Sequence, residues 1–265
     1  MMNRATRNNS DELARHNRLK PSRGFNMCCM ILGPAGSGKS LLTGQFGGFL
    51  KKEGYSVKLV NIDPGSLSLP YVCDFDIREK FTVENIMREE KLGPNGAMIR
   101  AMDLLSETRI PKYEGDFILI DTPGQLEIFV FHESGPKIVE QFDNLVGIFI
   151  IDASIGFKDL PAAYLYSLAA RYRLGINAAN ILNKVDLLED REVKRVSDYL
   201  FNPTIFEREA KPKGVLSDIY LPLSELLRKV VPAQRIPLVS AQTGKGFDEL
   251  LDILYEIRCA CGDLT

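Results

Sequence analysis

The chain has 265 residues, of which 45% are apolar and 26% are charged, and its formal net charge at pH 7 is −2. A chain of this length buries enough apolar surface to fold without disulfides or a structural metal. The near-neutral charge argues against a broad nucleic-acid-binding face, and no apolar run approaches the roughly 20 residues of a membrane-spanning helix. Five cysteines, an odd number, favour a reducing, cytoplasmic environment.

Residues 1–24 differ from the rest of the chain. They carry six Arg or Lys residues and few apolar ones, which predicts a solvated, flexible, basic tail. The alternative is an arm that binds nucleic acid. Residues 25–265 are expected to form one domain, because no low-complexity linker interrupts them. Within it, residues 200–235 contain four prolines and are expected to be an irregular insertion.

Strand and helix patterns alternate along this domain. Dense apolar runs predict buried strands at Asn26–Leu32, Val57–Ile62, Phe117–Ile120, Leu145–Ile151, Ala179–Leu182 and Ile236–Val239. Helical periodicity predicts helices at Ser40–Glu53, twice within residues 82–109, at Leu160–Leu174 and from Phe247 to Ile257. The alternation predicts an α/β sandwich of three layers, in which helices cover both faces of a mainly parallel sheet.

Residues 33–40, with the sequence GPAGSGKS, lie between the first predicted strand and helix and match the pattern G-x-x-x-x-G-K-[ST]. The glycines allow successive backbone N–H groups to point at a phosphate, and the helix N-terminus adds positive potential. Lys39 is expected to reach the β- and γ-phosphates, and the Ser40 hydroxyl to hold Mg²⁺. The sequence therefore predicts a P-loop NTPase, whose further nucleotide contacts at this loop are Gly36, Ser37, Gly38 and Leu41.

A second motif, Asp121-Thr122-Pro123-Gly124-Gln125, follows the strand at Phe117–Ile120. A carboxylate at the carboxyl end of a strand beside the P-loop can hold Mg²⁺ through a water, which is the role expected of Asp121. The N–H group of Gly124 is expected to contact the γ-phosphate and to lose this contact on hydrolysis. The alternative for Asp121 is a residue that only begins a proline turn.

Two further motifs predict that the base is guanine. In Asn183-Lys184-Val185-Asp186, the carboxylate of Asp186 can accept hydrogen bonds from N1–H and the exocyclic amine of guanine, donors that adenine lacks at those positions. Asn183 is expected to brace the base and the neighbouring loop, and the stem of Lys184 to lie over the purine. Ser240 and Ala241 follow the last predicted strand, where the N–H of Ala241 is expected to meet the guanine O6.

The segment between the first two motifs is long and helical, which predicts a parallel pair of strands rather than the antiparallel hairpin of Ras-type GTPases. It contains Leu92-Gly93-Pro94-Asn95-Gly96. Together with Asn61–Gly65, Asp76–Glu79 and Asp121–Glu127, this segment resembles the GPN-loop GTPase family, of the SIMIBI class, over about residues 26–260. The family usually has Asp-Pro-Ala where this chain has Asp-Pro-Gly at residues 63–65.

The resemblance implies a homodimer, or a dimer of close paralogues, whose two nucleotide sites face each other. The loop formed by Gly93, Pro94 and Asn95 of one subunit would enter the partner's site and contact the γ-phosphate region. Proline fixes φ, so the amide of Asn95 would be presented rigidly. GTP would be the substrate, GDP the product and Mg²⁺ the cofactor.

The resemblance also implies candidate catalytic residues. Asp63 would position or deprotonate the attacking water, or hold the outer shell of the metal, and Gln125 and Glu127 are further candidates for that water. The protein would act as a nucleotide-driven switch in the assembly of a larger complex. Relatives are tied to RNA polymerase assembly, which implies such a client.

Three other functions remain open. A metal-delivery GTPase would require a tract rich in His or Cys, whereas the chain has only His16 and His132 and the weak pair Cys259 and Cys261. A P-loop kinase would transfer phosphate to a hydroxyl, but the motif at Asn183–Asp186 argues against it. A scaffold that binds nucleotide without hydrolysis is the third.

Overall fold

The computed structural model describes residues 26–156, 159–201, 222 and 235–262. Within these residues the chain forms one parallel sheet with the strand order β3-β2-β4-β1-β5-β6. The strands are β1 (Met27–Leu32), β2 (Val57–Asn61), β3 (Phe75–Asp76), β4 (Phe117–Asp121), β5 (Leu145–Asp152) and β6 (Ala178–Asn183).

Helices cover both faces of the sheet. Alternate residues of β1 point to opposite faces, so that Met30 and Leu32 lie in one apolar core while Cys29 and Ile31 lie in the other. The first core is covered by α2 to α7 and the second by α1 and α8, which confirms the predicted three layers. The helices are α1 (Lys39–Lys52), α2 (Val83–Glu90), α3 (Pro94–Glu107), α4 (Leu126–Phe131), α5 (Ser134–Val139), α6 (Leu160–Leu174), α7 (Asp190–Phe201) and α8 (Phe247–Gly262).

The predicted parallel pair is confirmed. β2 runs parallel to β4, with Val57 opposite Phe117 and Asn61 opposite Asp121, and β4 separates β2 from β1. Because all strands point the same way, their carboxyl ends meet at one edge of the sheet. This is the edge at which ligands bind in open α/β sheets, and it gathers the predicted motifs.

One predicted strand is wrong. Ile236–Val239 forms only a single bridge, in which Leu238 lies opposite Leu182. The Leu182 N–H donates to Pro237 O at 2.9 Å, and the Val239 N–H donates to Leu182 O at 2.8 Å. Pro237 has no N–H group to continue the ladder, which limits this segment to one bridge.

Four elements were not predicted, namely β3, α4, α5 and α7. β3 has two residues, and α4 and α5 have six each, so they are too short to show a periodic pattern. α7 is rich in charged residues, and within its described side chains Val196 is the one that belongs to the core.

Several predictions concern residues that the structure does not describe. The tail at 1–24, most of the insertion at 200–235 and the side chains of Cys259 and Cys261 lie outside the described ranges. Cys28 and Cys29 are buried, free thiols. Within the described part of the chain, no helix has the length and apolar character needed to cross a membrane.

Candidate nucleotide-binding site

The loop between β1 and α1 has a backbone shape that favours glycine. Gly36 and Gly38 have φ values of 76° and 98°, in the left-handed region that strains other residues. A Cβ atom on Gly38 would also lie 2.7 Å from Asn183 Nδ2. Gly38 is the N-cap of α1, and no described side chain caps this helix. Its first N–H groups therefore suit an anionic ligand such as a phosphate.

Lys39 is folded back onto its own loop. Its Nζ atom donates to Gly33 O at 2.8 Å and to Pro34 O at 3.1 Å. Burial lowers the pKa of Lys39, while the carboxylates of Asp121 and Asp63 oppose this shift. The predicted contact with the nucleotide would therefore exchange two carbonyl oxygens for phosphate oxygens.

Asp121, at the end of β4, lies fully buried at the predicted Mg²⁺ site. Its Oδ2 atom accepts from the Tyr71 hydroxyl at 2.9 Å, whereas Oδ1 is buried without a partner. Burial raises the pKa of Asp121 to about 6, and hydrogen bonds with Ser40 and Tyr71 oppose the rise. Mg²⁺ keeps several waters and uses one or two carboxylates, so a carboxylate that interacts with Ser40 and has an unpaired Oδ1 atom fits this ion.

Asp63 accepts a hydrogen bond from the Gly124 N–H, the group that was predicted to contact the γ-phosphate. It is buried, its Oδ1 atom accepts from the Gly65 N–H at 2.8 Å, and its Oδ2 atom accepts from the Gly124 N–H at 3.1 Å. Burial raises the pKa of Asp63, while the two N–H donors and Lys39 oppose the rise. The carboxylate of Asp63 and a γ-phosphate would therefore compete for the same N–H group.

Unpaired buried polar atoms concentrate in the site. Among the described residues, four buried side-chain atoms lack a hydrogen-bond partner, and Ser37 Oγ, Asp121 Oδ1 and Gln125 Oε1 belong to predicted site residues. The fourth is Asn180 Nδ2, in β6. Because buried polar groups are normally paired, this concentration indicates a place where a polar ligand binds.

Asn183 joins the P-loop to the second predicted base loop. Its Nδ2 atom donates to Ser37 O at 2.9 Å, and its Oδ1 atom accepts from the Ala241 N–H at 3.0 Å. A guanine O6 would have to share this N–H group. Ser240 is buried, and its Oγ atom accepts from the Thr243 N–H at 3.1 Å, so it shapes the loop.

Asp186 lies exposed at an open cavity beside the P-loop. Lys184 takes a left-handed conformation with φ of 67°, and its Nζ atom pairs with Asp152 Oδ2 at 2.6 Å. The pair fixes the end of the stem that was predicted to cover the purine. The cavity has a volume of about 280 Å³ and is lined by Gly38, Leu41, Asn183, Lys184, Asp186, Leu187, Ala241 and Gln242.

The Gly-Pro-Asn segment forms the start of α3. Gly93 is the N-cap, Pro94 begins the helix, and both residues are exposed together with Asn95. Proline suits the first helical turn, where its missing N–H group is not needed. The structure therefore presents the three residues on the surface of the subunit.

The other two candidates for positioning water differ in burial. Gln125 precedes α4 and is half-buried, with an unpaired Oε1 atom. Glu127 is exposed, and its Oε2 atom accepts from the Tyr166 hydroxyl at 3.3 Å. The roles of both residues stay predictions.

Three contacts of the site are not predictable from the sequence. Tyr71 binds Asp121, Asp152 binds Lys184, and Asn61 binds the backbone of Asp63. Tyr71 and Asp152 are far in sequence from their partners, so no local pattern marks them. Asn61 belongs to a segment that carries the family resemblance, as do Asp76 and Arg78, but the sequence assigns no role to these side chains.

Comparison with known proteins places these features in a family. The profile of a family described as "Conserved hypothetical ATP binding protein" matches residues 31–260. The GPN-loop GTPase PAB0955 of Pyrococcus abyssi is 38% identical over 251 residues, which cover 90% of this chain and 100% of that protein. Its crystal structure in the apo form matches with a TM-score of 0.79 and 36% identity, covering 89% of this chain and 98% of that one.

Two other relatives match over a shorter length. The GPN-loop GTPase QQT1 of Arabidopsis thaliana is 31% identical over 173 residues, and GPN-loop GTPase 3 of Danio rerio is 32% identical over 185 residues. The matches cover 60% and 64% of this chain, and 58% and 65% of the two relatives. The match to PAB0955 thus spans that whole relative, and the matches to these two span less than two thirds of theirs. The chain belongs to the GPN-loop GTPase family.

Proposed function

We propose that the chain binds Mg²⁺-GTP and hydrolyses its β–γ phosphoanhydride. The observation that carries this proposal is the open cavity between the P-loop and Asp186, whose floor is fixed by the hydrogen bonds of Asn183 to both neighbouring loops. A carboxylate at this rim selects guanine because adenine offers it no donor. The names of the relatives support the same substrate.

The family profile is described with ATP, so ATP is the competing substrate. Asp186 argues against it. With adenine bound, this carboxylate would lose its hydrogen bonds and face the acceptor N1 of the base. Such a mismatch should weaken ATP by roughly 10³-fold relative to GTP.

The phosphate end supplies the groups that hydrolysis requires. Lys39 and the N–H groups of the P-loop would hold the phosphates, and Ser40 and Asp121 would hold Mg²⁺, which neutralises charge on the transferring phosphoryl group. When the γ-phosphate takes the Gly124 N–H, the Oδ2 atom of Asp63 is released. That carboxylate can then orient the attacking water and accept its proton.

We also propose that the active form is a dimer in which the Gly-Pro-Asn loop acts on the partner's site. Gly93, Pro94 and Asn95 are exposed, and so are three large apolar side chains, two between β2 and β3 and one on α3. These side chains are Leu67, Val72 and Ile99, exposed by 92%, 91% and 42%. Apolar surface of this kind is covered in stable assemblies.

A complementation assay tests this arrangement. Asn95→Ala and Asp63→Asn proteins should each hydrolyse GTP poorly. If the loop acts across the dimer, mixing them creates heterodimers with one intact site, and activity should rise to a substantial fraction of wild type. An unchanged rate in an exchanged mixture, verified by mass spectrometry, would contradict action in trans.

The same dimer would serve as a nucleotide-driven switch. Loss of the γ-phosphate would return the Gly124 N–H to Asp63 and move the segment that follows it. We propose that this change assists assembly of a larger protein complex in a reducing, cytoplasmic setting, with RNA polymerase as the client implied by family resemblance. Pull-down with the chain locked by a non-hydrolysable GTP analogue, compared with GDP, tests this role.

The alternatives have less support from the described residues. A metal-delivery GTPase needs a cargo site, and within the described ranges no group of three or more His, Cys, Asp or Glu side chains is arranged to hold a metal ion. A kinase needs an acceptor, so GTP consumption that required an added hydroxyl compound would favour it.

Nucleotide competition with wild type and Asp186→Asn tests the substrate directly. Asparagine offers an amide donor in place of one carboxylate oxygen, so it repels the guanine donors and suits xanthine, which has an acceptor at position 2. GTP affinity should fall by roughly 10³-fold and affinity for xanthosine triphosphate should rise. Asp190→Asn, another exposed aspartate beyond the loop, is the matched control and should change neither affinity.

A further inference from the structure

A chain of buried polar side chains lies behind Asp63. Asn61, the last residue of β2, is fully buried. Its Oδ1 atom accepts from the Asp63 N–H at 3.0 Å, and its Nδ2 atom donates to Asp63 O at 3.4 Å and to Asp76 Oδ1 at 2.8 Å. An amide with both ends engaged in this way has one orientation, so it holds the backbone of Asp63 on both sides of its Cα atom.

Asp76 and Arg78 extend the chain around the turn. Arg78 donates hydrogen bonds to both carboxylate oxygens of Asp76. Its Nε atom lies 3.0 Å from Oδ1 and from Oδ2, and its Nη2 atom lies 2.6 Å from Oδ2. The Nη1 atom of Arg78 donates to Ser66 O at 3.1 Å. The guanidinium thereby ties the carboxylate that anchors Asn61 to the backbone three residues beyond Asp63.

The strand that carries Asp76 is short. β3 has only two residues, neither is fully buried, and its pairing places Asp76 opposite Asn61. So little apolar burial contributes little to stability. The clear structural consequence of β3 is that a carboxylate lies beside the amide that holds Asp63.

We propose that Asn61, Asp76 and Arg78 are positioning residues for hydrolysis, which act by holding the carboxylate of Asp63 at the γ-phosphate end of the site. The proposal rests on the proposed function of Asp63. Asn61 fixes the backbone of Asp63, Asp76 fixes Asn61, and Arg78 fixes Asp76 and the turn that follows. A misplacement of about 1 Å at a reacting group can slow a reaction by about 10²-fold.

Asp76→Asn tests this network with little change of shape. The side chain keeps an oxygen for Asn61 but loses the charge that binds Arg78. The rate constant of hydrolysis, measured by single-turnover phosphate release, should fall by about 10-fold or more, and kcat should fall with it. The Kd for GTP should stay within about twofold, because no nucleotide-binding group changes.

Asp74→Asn is the matched control. Asp74 lies at the same edge of the sheet and binds Lys58 Nζ at 2.8 Å and the Leu59 N–H at 2.9 Å, which is again one cation and one neighbour on β2. None of these contacts reaches the turn at Asp63. Loss of an edge ion pair alone would affect both variants equally, whereas the network predicts a fall in kcat for Asp76→Asn only.

A double-mutant cycle with Asp63→Asn separates positioning from general stability. If Asp76 acts through Asp63, then Asp76→Asn should slow wild type but leave the residual rate of Asp63→Asn unchanged. Arg78→Lys can replace Asp76→Asn in the cycle if that variant does not fold. Lysine keeps the charge but cannot form the bidentate contact with Asp76. It should show the same non-additivity with Asp63→Asn.

The outcomes distinguish the two claims. Unchanged turnover in Asp63→Asn would refute the proposed role of Asp63 itself. A large loss in Asp63→Asn, together with equal rates for Asp76→Asn and Asp74→Asn or with additive losses in the cycle, would refute the positioning network and leave the proposed function standing.

Discussion

The two ends of the candidate site differ in how far they are prepared for a ligand. At the base end, Asp186 is exposed and the cavity beside it is open, with Asn183 already bonded to the loops on either side. At the phosphate end, Lys39 is bonded to carbonyls of its own loop, and the Gly124 N–H is bonded to Asp63.

This difference suggests a division of work between the ends. At the base end, the carboxylate expected to select guanine is already exposed, and the contact that a guanine must share is the Ala241 N–H bonded to Asn183. We therefore expect this end to determine which nucleotide binds. The phosphate end must exchange internal hydrogen bonds for bonds to phosphate, and each exchange changes a neighbouring group. We therefore expect hydrolysis, and the proposed switching, to depend on the phosphate end, and variants there to alter rates without altering base preference.

The largest effect should come from Asp63→Asn. The asparagine cannot accept the proton of water, so single-turnover hydrolysis should fall by roughly 10³-fold. The preference for GTP over ATP, measured by competition, should stay as in wild type because the base end is untouched. A changed preference would break the division between the two ends.

A smaller loss is expected for Asn95→Ala. Removing one donor from the phosphate end of the partner's site should slow hydrolysis by about 10²-fold, while the Kd for GTP is unchanged. Asn85→Ala, on the neighbouring helix α2, is the matched control. Equal rates in the two variants, in protein shown to be dimeric by light scattering, would count against the Gly-Pro-Asn loop.

Tyr71→Phe should weaken the binding of Mg²⁺ about tenfold. The Tyr71 hydroxyl orients Asp121, and removing such a support weakens metal sites by about 10-fold. The variant should need more Mg²⁺ for half-maximal hydrolysis and should keep its affinity for GTP without metal. Tyr113→Phe, which loses a similar bond to Asp74 O, should behave as wild type; a shift of the same size in both would contradict a specific role.

The smallest effect concerns pH. The pKa of Asp121 is raised to about 6 by burial, and only the carboxylate can hold the water of a metal. Protons therefore compete with Mg²⁺, and the Mg²⁺-dependent part of GTP affinity should fall by about twofold between pH 7.5 and pH 6 and further below it. The control is the GTP affinity measured by calorimetry in EDTA, where no Mg²⁺ contributes. A Mg²⁺-dependent affinity that rose on acidification would contradict this prediction.

The sequence predicted the fold because the strands are nearly all continuous apolar runs, as in β1 and β5, and the motifs mark where those strands end. It also placed Lys39, Asp121 and Asp186 at one edge of the sheet. Motifs of this kind are readable because each ligand contact needs fixed residue types at fixed local spacing.

The parts that could not be predicted depend on contacts between distant residues. Tyr71 meets Asp121 across 50 positions, and Lys184 meets Asp152 across 32, without any pattern to link them. The bond between Asp63 and Gly124 spans 61 positions and competes with the predicted phosphate contact. Pro237 reduced the last predicted strand to one bridge, since a proline inside an apolar run removes a donor that periodicity does not register.

The central claim is that guanine is selected by Asp186 at the open end of the site. Isothermal titration of the wild-type protein with GTP and with ATP, at equal and saturating Mg²⁺, measures this directly. We expect GTP to bind roughly 10³-fold more tightly than ATP. Equal affinities, or tighter binding of ATP, would contradict the account.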